Sequence, residues 1–334
     1  MDFHTIVKNK EYRERVIKYF RLPIRLTVSE EKFLSDLDFL KQVDVDKYNK
    51  IIQLTEHDFN KEAKEQKTSE PDFTMEHILE KVIKDVESNA NWKSFLKEDY
   101  SDYLGNFNGI TNTHDFYKKE NDGKYFLSID LESANWQTIQ KITGMKESYE
   151  DFIVKYTDNL IPPASKTVRT KIAGLLGAKK IMNYNIKLLK DNQEGVLEAV
   201  YSGTGVDLRN KNPFAFYADE FIIEIDKETK EKFDKLNLSD IENRVHKDVG
   251  IKIHFRPFLL KWLDLDKSCV KIFNNKKYEV LNISKDLLLI LNKVKEKEEI
   301  KDIDLEKFNL KKTSKEELTE KANKAINTID YYSK

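Results

Sequence analysis

Near residue 120 the spacing of apolar side chains changes from helical to strand-like, and that change limits the folds open to the chain. Before about residue 105, RERVIKYF, SEEKFLSDLDFLKQV, VDKYNKIIQL and MEHILEKVIKDVESNANWKSFL place apolar residues three and four positions apart, which gathers them on one helical face. KYFLSIDLES instead alternates apolar and polar residues, and the Asp122-Gly123 pair before it is a turn signal. A helical segment followed by antiparallel strands with helices between them predicts an α+β architecture.

Further along, Pro162-Pro163 should stop a helix and Ser165 should cap the next, a long basic helix running to about Leu189. GVLEAVYS reads as another ordered segment and GTGVDLRNKNP as a loop. AFYADEFIIEI reads as a hairpin whose tip carries Ala218, Asp219 and Glu220. KETKEKFDKLNLSDIENRVHKDV predicts a polar-faced helix. GIKIHFRPFLLKWL and SCVKIFNNKKYEVLNI predict further strands, with a turn at Asn274-Asn275. The charged, proline-bearing KEAKEQKTSEPDF is the clearest break, and the tail after Ser284 begins with one apolar helix, KDLLLILNKV, then turns charge-dense, which predicts a solvated helix or a partly disordered end.

Composition narrows the function classes. The chain has 58 Lys+Arg against 59 Asp+Glu, a formal net charge of −1, which argues against non-specific coating of nucleic acid. A single cysteine, Cys269, cannot build a disulfide framework, so the expected compartment is reducing and cytoplasmic. No apolar run is long enough for a spanning helix, and no membrane association is expected. The six histidines have no zinc-ligand spacing. Gly203-Thr204-Gly205 and GLLGAKK lack the pattern of a dinucleotide or phosphate loop.

Two acidic clusters remain, Asp130 with Glu132 and Asp219 with Glu220, each inside an apolar segment. An ionised carboxylate among apolar neighbours needs a compensating cation, and two such clusters invite a shared divalent metal site. Paired aspartates suit phosphoryl transfer, where two metal ions clamp the attacking and leaving oxygens. Between them lies a helix with Lys166, Arg169, Lys171, Lys179 and Lys180, cations suited to triphosphate charge.

The order and wording of these segments resemble the palm of the family A nucleic acid polymerases, the group of bacterial DNA polymerase I and the single-subunit phage RNA polymerases. SIDLESANWQTIQ is similar to that family's first motif, SKTVRTKIAGLLG to its second and FYADEFIIEID to its third. The resemblance covers roughly residues 120 to 265. It implies an antiparallel palm-like sheet within 106–285 with a fingers insertion at about 140–195, while apolar spacing and charge predict a helical region at 1–105 and a helical tail at 286–334. It further implies that Asp130, the carbonyl of Leu131 and Asp219 hold Mg²⁺ or Mn²⁺ and that Glu220 assists them. Lys166, Arg169 and Lys171 would then hold the incoming nucleoside triphosphate. Asn135 stands where the family has a sugar-discriminating glutamate, Ala218 where it has a histidine and Ala173 where it has an aromatic.

The expected activity is template-dependent nucleotidyl transfer to a 3′ hydroxyl, on a nucleic acid primer-template. With no thumb segment recognisable, the resemblance also implies low processivity or a protein partner that grips the template. Tyr217-Ala218-Asp219-Glu220 is close as well to the Tyr-x-Asp-Asp turn of reverse transcriptases and RNA-dependent RNA polymerases, with the same two aspartates. A ribonuclease H-like metal nuclease and an inactive palm that binds nucleic acid or protein are the alternatives.

Overall fold

The computed structural model describes residues 1–20, 22, 29–43, 45–65, 75–101, 116–210, 215–217, 219–263, 265, 268–274, 278–283, 287, 290, 291, 294 and 314–332. Most of the expected break after Glu65, the hairpin residue Ala218, the turn residue Asn275 and tail positions 295–313 lie outside the described residues. The chain divides into two compact units, Met1–Asp99 with Asn135–Met182, and Tyr100–Ala134 with Asn183–Lys334.

The first unit is helical. Its leading segment forms α1 (Phe3–Ile6), α2 (Lys10–Phe20), α3 (Glu30–Val43), α4 (Val45–Glu65), α5 (Met75–Ser88) and α6 (Ala90–Phe95). α5 and α6 divide what the spacing predicts as one helical stretch. The Asn89 side chain accepts hydrogen bonds from the amides of Asn91 at 2.9 Å and Trp92 at 3.2 Å, capping a new helix. Its second segment contributes α7 (Ala134–Thr143), α8 (Tyr149–Ile153), α9 (Ile161–Ala164) and α10 (Lys166–Leu175).

Pro162 and Pro163 open α9 rather than ending an earlier helix, because α8 has already stopped at Ile153. Proline suits the first helical turn, where its missing N–H has no partner to lose. The buried carboxylate of Asp58 on α4 accepts from the amides of Leu160 and Ile161, both at 2.8 Å, and so caps α9 across the unit. Ser165 caps α10 as expected: its Oγ accepts from the Val168 amide at 3.3 Å and donates to the Tyr19 carbonyl at 2.7 Å. The basic helix is broken where one continuous helix is expected. Gly177 adopts φ +103°, a conformation that L side chains rarely take, and α11 (Ala178–Thr204) starts beyond it and absorbs GVLEAVYS.

The second unit is built on β1 (Tyr125–Leu131), β2 (Ala215–Tyr217), β3 (Glu220–Ile225), β4 (Ile253–Trp262), β5 (Cys269–Ile272) and β6 (Tyr278–Leu281). They form a six-stranded sheet in the order β2-β3-β1-β4-β5-β6, with every pair antiparallel. The connection between β3 and β4 is helical, α12 (Lys227–Lys235) and α13 (Leu238–Val249), two helices where one is expected. The first four strands therefore follow the β-α-β-β-α-β pattern in which β3 lies between β1 and β2. The α+β expectation is met.

Successive residues of a strand point to opposite faces, so β1 serves two layers. Leu127, Ile129 and Leu131 pack with Phe221, Ile223 and Ile225 of β3 under α11, α12 and α13. α11 lies close to α13 through glycine, since a Cβ on Gly195 would stand 3.3 Å from Val249 Cγ2. On the opposite face Phe126 packs with Phe116, Tyr117, Ile222, Phe258, Leu260 and Cys269. α14 (Lys315–Tyr332) is not the solvated end that charge density predicts. It buries Leu318, Ala322, Ala325 and Ile329 against Leu259, Val270 and Ile272 of the sheet.

Candidate functional site

The second face of the sheet turns from apolar to ionic toward one end of β1. Moving along β1 from Phe126, the same-face positions are Ser128 and Asp130. Asp130 stands opposite Glu220 of β3 on one side and His254 of β4 on the other. Asp219 immediately precedes β3, and its carbonyl accepts a 2.8 Å hydrogen bond from the Leu131 amide. The sheet ladder thus brings together Asp130, Leu131, Asp219 and Glu220, which are widely separated in sequence. The hairpin differs from expectation in one detail: Glu220 is the first residue of the returning strand, paired with Tyr217, and not part of the tip.

Cations from two further strands complete the face. Arg256 Nη2 lies 3.6 Å from Asp130 Oδ2, and Lys271 Nζ lies 3.5 Å from Glu220 Oε1. The Ser128 hydroxyl also donates to Glu220 Oε1. The two ion pairs are unlike in their surroundings. The Lys271 side chain is only 10% exposed, with Nζ 5.1 Å from the Tyr117 ring centroid and 5.0 Å from that of Phe258, whereas the Arg256 side chain is 49% exposed.

The charge balance still leaves the end of β1 too negative. Asp130 is pushed up to about 6, first by burial and then by the charges of Asp219 and Glu220, against the weaker opposing pull of Arg256 and His254. Burial and the nearby Glu220 charge also hold the Tyr117 phenol in its neutral form, above the ordinary tyrosine range. Burial pushes the Cys269 thiol up to about 12, which leaves it an inert core group. Among the described residues no three His, Cys, Asp or Glu groups converge into a ready-made metal cage. The carboxylates whose charges act on Asp130 are Asp219 and Glu220.

The predicted basic residues lie in the other unit. Lys166, Arg169 and Lys171 are on α10, where the first turn carries no acid, and Asn135 lies in the first turn of α7. The Arg169 guanidinium stands 5.6 Å from the Tyr149 ring centroid, and the Tyr149 hydroxyl donates to the Pro162 carbonyl at 3.1 Å. Lys180 donates to the Leu96 carbonyl at 2.5 Å. Trp136 packs on Tyr149 and Phe152 and donates to the Glu147 carbonyl at 3.1 Å, within the helical unit.

Sequence reasoning passed over Ser128, Arg256 and Lys271. Two signals marked the cations: Arg256 shares its strand face with Phe258 in a two-residue alternation, and Lys271 interrupts the apolar run CVKI, where a cation needs an acid. No helix among the described residues is long and apolar enough to cross a membrane. No family model, curated protein or solved structure matches the chain.

Proposed function

We propose that the chain is a template-dependent nucleotidyltransferase that adds nucleotides to the 3′ hydroxyl of a primer. The observation that carries this reading is the pairing of two aspartate-bearing segments at one end of adjacent strands, Asp130 ending β1 and Asp219 leading into β3, joined by the Leu131–Asp219 backbone bond. The β-α-β-β-α-β strand order supports it, because that order brings the two segments side by side.

In this reading Asp130, Asp219 and the Leu131 carbonyl hold Mg²⁺ or Mn²⁺. The donor set suits such a hard cation, being all oxygen, and a divalent ion would offset the Asp219 and Glu220 charges that, after burial, raise Asp130. Bound there, such a cation would supply the positive charge that lowers the pKa of an attacking hydroxyl and offsets charge on the reacting oxygens. The 3′ oxygen then attacks the α-phosphorus, and the new P–O bond forms as the bond to pyrophosphate breaks. The hydroxyl proton passes to solvent. By the motif resemblance, Lys166, Arg169 and Lys171 of the helical unit are the cations assigned to triphosphate charge, and Asn135 is the position assigned to sugar choice. Primer-template and nucleoside triphosphates are the substrates, and a protein partner holds the template.

The test is incubation of labelled DNA and RNA primer-templates with Mg²⁺ or Mn²⁺ and all deoxy- and ribonucleoside triphosphates. Lengthened primers that disappear with Asp130→Asn and Asp219→Asn are the expected result. Metal-dependent shortening would replace the reading with a nuclease, and unchanged primers would leave a sheet that binds without catalysing.

A further inference from the structure

We infer that Lys271 is a positioning residue that holds Glu220 out of the metal-binding set, so that the site works with two carboxylates where its sequence offers three. The inference rests on the proposed metal-dependent reading and assigns roles within that site.

Glu220 Oε1 is engaged twice, by the Lys271 ammonium at 3.5 Å and by the Ser128 hydroxyl. Both partners come from the sheet itself, Ser128 two residues before Asp130 on β1 and Lys271 on β5. The pair is enclosed: the two side chains are 10% and 18% exposed, and the Tyr117 and Phe258 rings lie about the ammonium. A buried pair of this kind is held firmly, because removing one partner strands the other charge in a poorly solvated place. Releasing Glu220 to a metal would strand Lys271 in that way.

Asp130 is in a different position. Its cation, Arg256, is half-exposed and stands 3.6 Å away, so water can take over the guanidinium when a divalent ion takes the carboxylate. The two strand-borne cations therefore do different work: Lys271 is a permanent countercharge and Arg256 an exchangeable one.

The experiment is Mn²⁺ titration of the full chain, followed by the loss of the free-ion electron paramagnetic resonance signal, with no substrate and no activity readout. Asp130→Asn and Asp219→Asn test the underlying reading, and each should weaken binding at least about tenfold. The double variant Glu220→Gln/Lys271→Met tests the inference. It removes a neutral pair, so Mn²⁺ affinity should stay within about threefold of wild type, while Glu220→Gln alone should weaken binding by leaving Lys271 uncompensated. A tenfold or greater loss in the double variant would make Glu220 a ligand and overturn the inference while the reading stands. Wild-type binding that is absent, or indifferent to Asp130 and Asp219, would remove the reading and the inference with it. Glu220→Gln/Lys271→Gln, whose side chains can hydrogen-bond to each other, repeats the comparison with the same criteria if the methionine variant does not fold.

Discussion

The amide of Leu131 donates to the carbonyl of Asp219 at 2.8 Å, tying the end of one acid-bearing strand to the residue that leads into the next. Neither segment alone explains why a chain would keep a carboxylate among apolar residues. Joined, they make a locally negative end to an otherwise apolar sheet, with Arg256 and Lys271 countering only part of the charge.

Asp130 should cost the protein stability at neutral pH. Its folded pKa, about 6, lies above the value of 3.8 for an unperturbed aspartate. The folded state therefore binds its proton more tightly, and the stabilising contribution is complete below pH 4 and lost as pH rises through 6. In the presence of chelator, Asp130→Asn is expected to be more stable than wild type at pH 7.5 by about 2 kcal/mol, with no gain at pH 4. Urea unfolding of the two proteins across pH 4 to 8 measures this. A difference between them that does not change with pH would contradict the assignment.

Asp58 should be a main support of the helical unit. It is buried and accepts from both the Leu160 and Ile161 amides, so Asp58→Ala leaves two donors without their acceptor. The expected loss is about 2–4 kcal/mol, with a smaller loss for Asp58→Asn, whose remaining oxygen can satisfy one amide. Thermal unfolding of both variants checks the order. Equal effects would indicate that the carboxylate charge, rather than the number of acceptors, matters.

α14 should be an integral part of the sheet layer. Ala322 is fully buried in the cluster with Leu259 and Ile272, so Ala322→Glu forces a charge into apolar packing. Limited proteolysis should then cut in or near α14, where the wild-type helix resists. Unchanged resistance would show that the helix is not held by this contact.

Part of this organisation was legible in the sequence, and the reason lies in the range of the interactions. The alternation in KYFLSIDL and the helical spacing of MEHILEKVIKDV are local signals, and both elements form where they are expected. The adjacency of Asp130 and Asp219 could be proposed only from the order of motifs. Register, which puts Glu220 across from Asp130, comes from long-range pairing that one strand does not encode. Local chemistry also failed at identifiable places. Pro162 could end a helix or begin one, and the acceptor that decides, Asp58, lies on a distant helix. The break at Gly177 was invisible to periodicity, since the apolar spacing continues past it. The tail misled through its charge: alanines at 322 and 325 contribute little to a hydropathy pattern, yet they let α14 approach the sheet closely.

The joint role of Asp130 and Asp219 in nucleotidyl transfer is read from the rate of single-nucleotide addition to a labelled primer-template in Mn²⁺. Wild type would be compared with Asp130→Asn, Asp219→Asn and the exposed-surface control Glu228→Gln. Addition by wild type and the control is expected, with a fall of at least about a hundredfold in each aspartate variant. Addition that persists at the wild-type rate in either aspartate variant would contradict it.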